Sequence, residues 1–142
     1  MTEWLVQVAA ILSTLVGTDD ADEHCLRLGG LDALRVEALA AGDPRSLNQV
    51  HAGTAGRAAD AAVIASYRER GLRIRGAALH RLVCEARHAG ESSTVLDVVE
   101  VLGPTWVVDD RGRWRLLPAP EPVARSITLT RTDDGWRIAA AR

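Results

Sequence analysis

Two carboxylates, Asp97 and Glu100, lie in the run Val95-Leu96-Asp97-Val98-Val99-Glu100-Val101. On a strand this spacing puts them on opposite faces, each among aliphatic neighbours. A carboxylate held in an apolar site has a raised pKa and can serve as general acid or base near neutral pH. The chain's one Tyr, Tyr67, and His51 are the side chains that would assist such a base. The competing account is a carboxylate that faces solvent or pairs with Arg, and it is the stronger one. For His51, which follows a short helical stretch, the simpler reading is a surface His favoured by the helix dipole.

His80, Cys84 and His88 form a second constellation, with metal-ligand residue types at fixed steps of four. On a strand such steps share a face but span about 13 Å each. Ligands of one ion sit near 2 Å from it, so the spacing argues against a metal, and none is expected. No Lys occurs, so all 17 Lys-plus-Arg positions are Arg, and Schiff-base, pyridoxal-phosphate and Walker-lysine chemistry are excluded. Gly-x-Ser-x-Gly, Gly-x-Gly-x-x-Gly and His-Glu-x-x-His are also missing, and no cofactor is expected.

The formal charge of −2 gives no bulk reason to expect nucleic acid or an anionic membrane. Arg68, Arg70, Arg73 and Arg75 form the densest basic cluster, but no aromatic interleaving accompanies it. Arg111, Arg113 and Arg115 alternate along a hairpin and read as its solvated face. Cys25 and Cys84 are too few for a disulfide scaffold and match no zinc or redox motif, so free thiols are expected. The apolar run from Trp4 to Val16 is too short to span a bilayer and follows Glu3, which points to a cytoplasmic chain or to a secreted one trimmed of its signal.

The elements that position these residues change character halfway. Trp4, Leu5, Val8, Ile11, Leu12 and Leu15 recur at helical spacing up to Gly17, and a short helix follows around His24 to Leu28. Gly29 and Gly30 break the pattern before a third stripe, Leu31, Leu34, Ala38 and Leu39, which stops at Gly42. Asp43 and Pro44 start a short helix to about His51, and Arg57 to Arg70 form another with Ala61, Ile64, Ala65 and Arg68 on successive turns. From Leu72 the period becomes two. Strands are expected at 72–87 with a bend at Gly76, and at 93–102, 105–109, 113–117, 123–131 and 136–140. Asp110-Arg111-Gly112 and Asp133-Asp134-Gly135 supply the hairpin turns. Phe is absent, so the four Trp are expected to be the largest pieces of the core.

Helices followed by antiparallel strands give an α+β fold. The segment Leu31 to Asp43, a helix ending at a Gly-Asp step, and the segment Ile127 to Ile138, with Asp133-Asp134-Gly135-Trp136-Arg137-Ile138 as turn and strand, resemble nuclear transport factor 2-like (SnoaL-like) domains. The resemblance covers about 31–140, and residues 1–30 read as an additional helical segment. It implies a cone-shaped fold with N-terminal helices on a curved antiparallel sheet, often dimeric through the sheet face, with a pocket between the layers. Both faces of 93–102 are apolar, which favours a homodimer as cover for the outer one. The leading functional expectation is a non-catalytic homodimeric binding or accessory module with a small apolar pocket, lined by Trp106, Trp114 and Tyr67 and open to a small hydrophobic ligand. The alternatives are a cofactor-independent SnoaL-type isomerase, cyclase or hydrolase using Asp97 or Glu100 with Tyr67 or His51, and a protein-interaction domain. The family's catalytic residues do not map one by one onto this chain.

Overall fold

The computed structural model describes residues 2–142, with side chains from residue 21 onward. The order is α1 (Thr2–Ala41), a 3-10 helix (Pro44–Gln49), α2 (Thr54–Glu69), β1 (Arg73–Arg75), β2 (Leu79–Ala89), β3 (Ser93–Leu102), β4 (Trp106–Val108), β5 (Trp114–Leu116), β6 (Val123–Thr132) and β7 (Gly135–Ala141). β2, β3, β6 and β7 form one antiparallel sheet in that order, and β1, β4 and β5 form a smaller one. This is the expected α+β arrangement of N-terminal helices on an antiparallel sheet.

The helical half corrects the sequence reading. α1 is one helix through Gly17, His24 to Leu28 and the Gly29-Gly30 pair, where separate helices were expected. The buried stripe explains this: His24, Leu28, Leu31, Asp32 and Ala38 follow one another at helical spacing. The two Gly fall on the opposite, exposed side, with no heavy atom within 4 Å of where a Cβ would stand. Their cost, about 1 kcal/mol each, is outweighed by packing of the stripe on both sides of them. The helix ends as expected at Gly42, whose positive φ of 65° allows Gly42 N–H to bond Leu39 C=O and Asp43 N–H to bond Ala38 C=O. Asp43 then caps the 3-10 helix by accepting from Arg45 N–H. α2 starts at Thr54 rather than Arg57, and it buries Asp60 and Ile64 while Ala65 and Arg68 stay exposed.

The strand half is nearer to expectation, with one division: Gly76 (φ 71°) separates β1 from β2 and sends them to different sheets. Register shifts occur in β2 between Arg81 and Val83 and between Ala86 and His88. Each moves the following residues to the other face. Cys84 therefore opposes Val98 on the helix-facing side, whereas His80 opposes Val101 and His88 opposes Val95 on the outer side. The expectation that His80, Cys84 and His88 share a face fails for this reason.

The main core, between α1 and the large sheet, consists of Leu28, Leu31, Val50, Leu96, Val98, Ile127, Leu129 and Ile138. A second cluster, Ala38, Leu47 and Ile64, joins the helices. The Trp residues are not its largest pieces: Trp136 only packs at the edge, Trp106 and Trp114 are 37% and 58% exposed, and the Trp4 side chain lies outside the described residues. Cys25 on α1 and Cys84 on β2 are joined in a disulfide with Cα atoms 6.2 Å apart. The expectation of free thiols is thereby corrected. A separation of 59 residues carries no motif, and only the packing of α1 on β2 makes the pair.

Candidate functional site

Two polar clusters are built into the layer between helices and sheet. In the first, Arg35 of α1 donates through Nε and Nη2 to the two Asp60 carboxylate oxygens at 2.8 and 2.9 Å, and His51 Nε2 lies 2.7 Å from Asp60 Oδ2. The His51 segment is clamped to the sheet, since Ala52 N–H bonds Ile138 C=O and Ile138 N–H bonds Val50 C=O. Gly56 leaves the room the ring occupies, because a Cβ there would collide with His51 Nδ1. Burial pushes the Asp60 carboxyl up, but the hydrogen bonds from Arg35 and His51 outweigh it and leave the group below its ordinary value.

In the second cluster Arg81 of β2 donates through Nη2 to Asp32 of α1 and, at 3.1 Å, to Glu100 of β3. Arg125 of β6 approaches the other Glu100 oxygen at 3.0 Å. Two guanidiniums thus balance two carboxylates that are each about 10% exposed or less. The Asp32 carboxyl is raised by burial, an effect that its hydrogen bond from Arg81 only partly offsets.

The two carboxylates singled out in the sequence do face opposite ways, and each is engaged by Arg. Asp97 points outward and is held by Arg87, which keeps its carboxyl below the usual range. Glu100 points inward to Arg81 and Arg125. Asp97 lines a shallow hollow of about 330 Å³ on the outer sheet face with Val83, Glu85, Val99, Ala124 and Ser126. Tyr67 is elsewhere, in an open cleft of about 600 Å³ between the end of α1 and α2, with the Arg70 guanidinium 4.9 Å from its ring. Neither hollow is lined by His51 or Glu100. Trp106 and Trp114 meet edge to face at 6.2 Å on the small sheet, away from Tyr67's cleft. Among the described residues, no group of three His, Cys, Asp or Glu side chains is placed to hold a metal ion.

Chemically, an acid or base needs a lone pair or proton aimed at space where a substrate can sit. Here the buried carboxylates Asp32, Asp60 and Glu100 are each engaged by Arg or His beside an aliphatic core. Sequence reasoning missed Asp32, Arg35, Asp60 and Arg81. The available signal was that Asp32 follows Leu31 on the stripe of α1, with half-exposed Arg35 about one turn on, and that Asp60 stands one turn before Ile64.

No family model matches the sequence, and no curated protein does. The chain is similar in fold to the intermembrane space region of the chloroplast protein ARC6. That match has a TM-score of 0.62 at 11% identity and covers 87% of this chain and 95% of the other. At such identity the likeness concerns the fold alone. Other matches are to an NTF2-like protein with a cystatin-like fold from Novosphingobium aromaticivorans (TM-score 0.39, 20% identity, 96% and 86% coverage) and to a protein from Catenulispora acidiphila (0.46, 14%, 92% and 91%).

Proposed function

We propose that this chain is a non-catalytic binding module that recognises other proteins at its surface. The observation that carries this reading is the filled layer between α1 and the large sheet, where the resemblance to SnoaL-like domains implies a pocket. Leu28, Leu31, Leu96, Val98, Leu129 and Ile138 occupy it, and the Asp32–Arg81–Glu100 cluster closes it with paired charge. Large apolar side chains are instead exposed at Leu82, Val83, Trp114, Leu116 and Val123. The enzyme alternative, with Asp97 or Glu100 as base, lacks a partnering Tyr67 or His51 beside either carboxylate.

Crystals pressurised with xenon test the reading, since an apolar cavity takes up the gas and a filled core does not. The expected result is no xenon between α1 and the sheet. A xenon site lined by Leu96, Val98 and Leu129 would return the small apolar ligand to first place.

The outer face of the large sheet supports a second element, a homodimer through that face. Val83 is 43% exposed there, beside half-buried Val95 and Val99. Sedimentation equilibrium of the native chain and of Val99→Glu checks it, with a dimer expected only for the former. The disulfide supports a third element, residence in an oxidising compartment, because such bonds persist where thiols are not kept reduced. It favours the secreted alternative over the cytoplasmic one. Among the described residues no helix is long and apolar enough to cross a membrane.

A further inference from the structure

The small sheet has one covered face and one open face. Ile74 and Val107 are buried on the covered side. On the other, directly opposed residues form two rows, Arg75–Trp106–Leu116 and Arg73–Val108–Trp114. Val108 is buried within this face, so its exposed part is Trp106, Trp114 and Leu116 toward β5, whereas exposed Arg115, the partner of buried Val107, stands on the opposite face of the edge strand. Arg75 is engaged with the Ala40 carbonyl of α1, whereas Arg73 and Arg115 make no ion pair among the described residues.

β5 is also an edge. Asp109 N–H bonds Arg113 C=O and Leu117 N–H bonds Thr105 C=O, which flank the Val107–Arg115 pair. In an antiparallel ladder hydrogen-bonded pairs alternate with non-bonded ones, so Val107 and Arg115 exchange bonds. The N–H and C=O groups of Trp114 and Leu116 then point away from β4 to the open edge, where no described strand pairs with them. Natural edges are usually blunted by charge or a cover, because such groups are a template for another strand. Here the two residues that present free backbone groups are 58% and 51% exposed and apolar.

We propose that the β5 edge takes up an extended, acidic segment of a partner protein by strand addition. The added strand bonds to Trp114 and Leu116, its apolar side chains lie on the face of Trp114 and Leu116, and its carboxylates, alternating to the other face, meet Arg115. Charge selects this occupant over a second copy of the chain. Antiparallel pairing of two β5 strands centred on Arg115 would set Arg115 against Arg115, with an Arg113 nearby on each side, and like charges directly opposed are unfavourable. The inference rests on the surface-binding reading above and names the site and partner chemistry within it.

The test uses the full oxidised chain, labelled with ¹⁵N, and two blocked heptapeptides of alternating Val with Glu or Val with Lys. With the Glu peptide, the backbone amides of Trp114 and Leu116 are expected to shift and gain exchange protection. Binding should weaken roughly tenfold in Arg115→Glu and between low and moderate salt, and the Lys peptide should bind more weakly still. Leu116→Pro removes one edge donor at a position where an edge strand tolerates Pro. It should abolish binding, and Arg115→Glu stands as the independent variant should Leu116→Pro not fold. Unshifted Trp114 and Leu116 amides at millimolar Glu peptide overturn the proposal. So does equal binding of the Lys peptide, or protection that grows with protein concentration alone. If the peptide binds elsewhere on the surface, the edge site fails while the surface-binding reading stands. Xenon in the core would remove that reading without touching the edge measurement.

Discussion

Replacing Cys25 and Cys84 together by Ala removes the covalent tie between α1 and β2 and exposes how much the long helix depends on it. The disulfide closes a loop of 59 residues in sequence. Loop-closure entropy for that length comes to about 14 cal/mol/K, or about 4 kcal/mol at 25 °C. With an unfolding entropy of roughly 0.3 kcal/mol/K for a chain this size, the melting temperature should fall by about 13 °C. Circular dichroism melts of the oxidised protein, the reduced protein and the double Ala variant supply the measurement, and the double Ala variant should melt somewhat below the reduced protein. The small cavity left beside Leu28 and Ala86 adds to the loss rather than cancelling it. A shift of only a few degrees would refute the reasoning, because it would mean that α1 already restricts the unfolded chain or that the bond stores no constraint. The same pair reads out the compartment: protein taken from its native location under acid trapping should leave both thiols unlabelled. Full labelling there would show that the bond does not form in place.

Gly29→Ala and Gly30→Ala meet open space on an exposed helix side, so each should stabilise by roughly 0.5–1 kcal/mol and raise the melting temperature by about 2–3 °C. Gly56→Ala is the same exchange inside α2, yet its new Cβ strikes the His51 ring, and a fall in melting temperature is expected instead. Asp60, held below its ordinary pKa in the fold, contributes stability that is fully present above the ordinary carboxylate value and drains as pH falls through the folded value. Asp60→Asn should therefore flatten the stability curve below about pH 4, as denaturant titrations at several pH values would show. Arg81→Ala leaves Asp32 and Glu100 buried and facing one another, with a cost of roughly 3–5 kcal/mol. Arg87→Ala breaks the solvent-exposed pair with Asp97 and should cost less than about 1 kcal/mol in the same unfolding assay.

The strands were legible because their residues carry local instructions. The bounds of β3 were read correctly from alternation and β-branching alone, and the turns at Gly112 and Gly135 adopt the positive φ their Asp/Gly composition demanded. The helical half was less legible, since Gly29 and Gly30 weaken a helix locally while a stripe running from His24 to Ala38 sustains it, and a local reading weighs only the first. Opposite facing of Asp97 and Glu100 followed from strand periodicity, and their Arg partners did not, because Arg81 and Arg125 come from neighbouring strands. The two register shifts in β2 leave no compositional mark, and they decide that Cys84 meets Cys25 instead of lining up with His80 and His88. Trp106 and Trp114 were assigned inward on hydrophobicity alone. The buried positions of the small sheet are Ile74, Val107 and Val108, and Trp106 and Trp114 are left at its exposed side toward β5.

The interior of this domain must also fix how the helix and the sheet align. A core without Phe, built from Leu, Ile and Val, leaves helix and sheet to meet through small side chains, and such layers slide against one another unless something fixes their register. Two devices fix it here. The disulfide sets the position of Cys25 along β2, and two turns further the Asp32–Arg81–Glu100 cluster sets the next point of contact. A buried ion cluster is a poor source of net stability but penalises every alternative alignment that would leave a charge unpaired. Both devices tie α1 to the sheet at defined points and so make it a fixed part of the fold. The proposed recognition is placed at the β5 edge because, among the described residues, no strand pairs with its outward backbone groups.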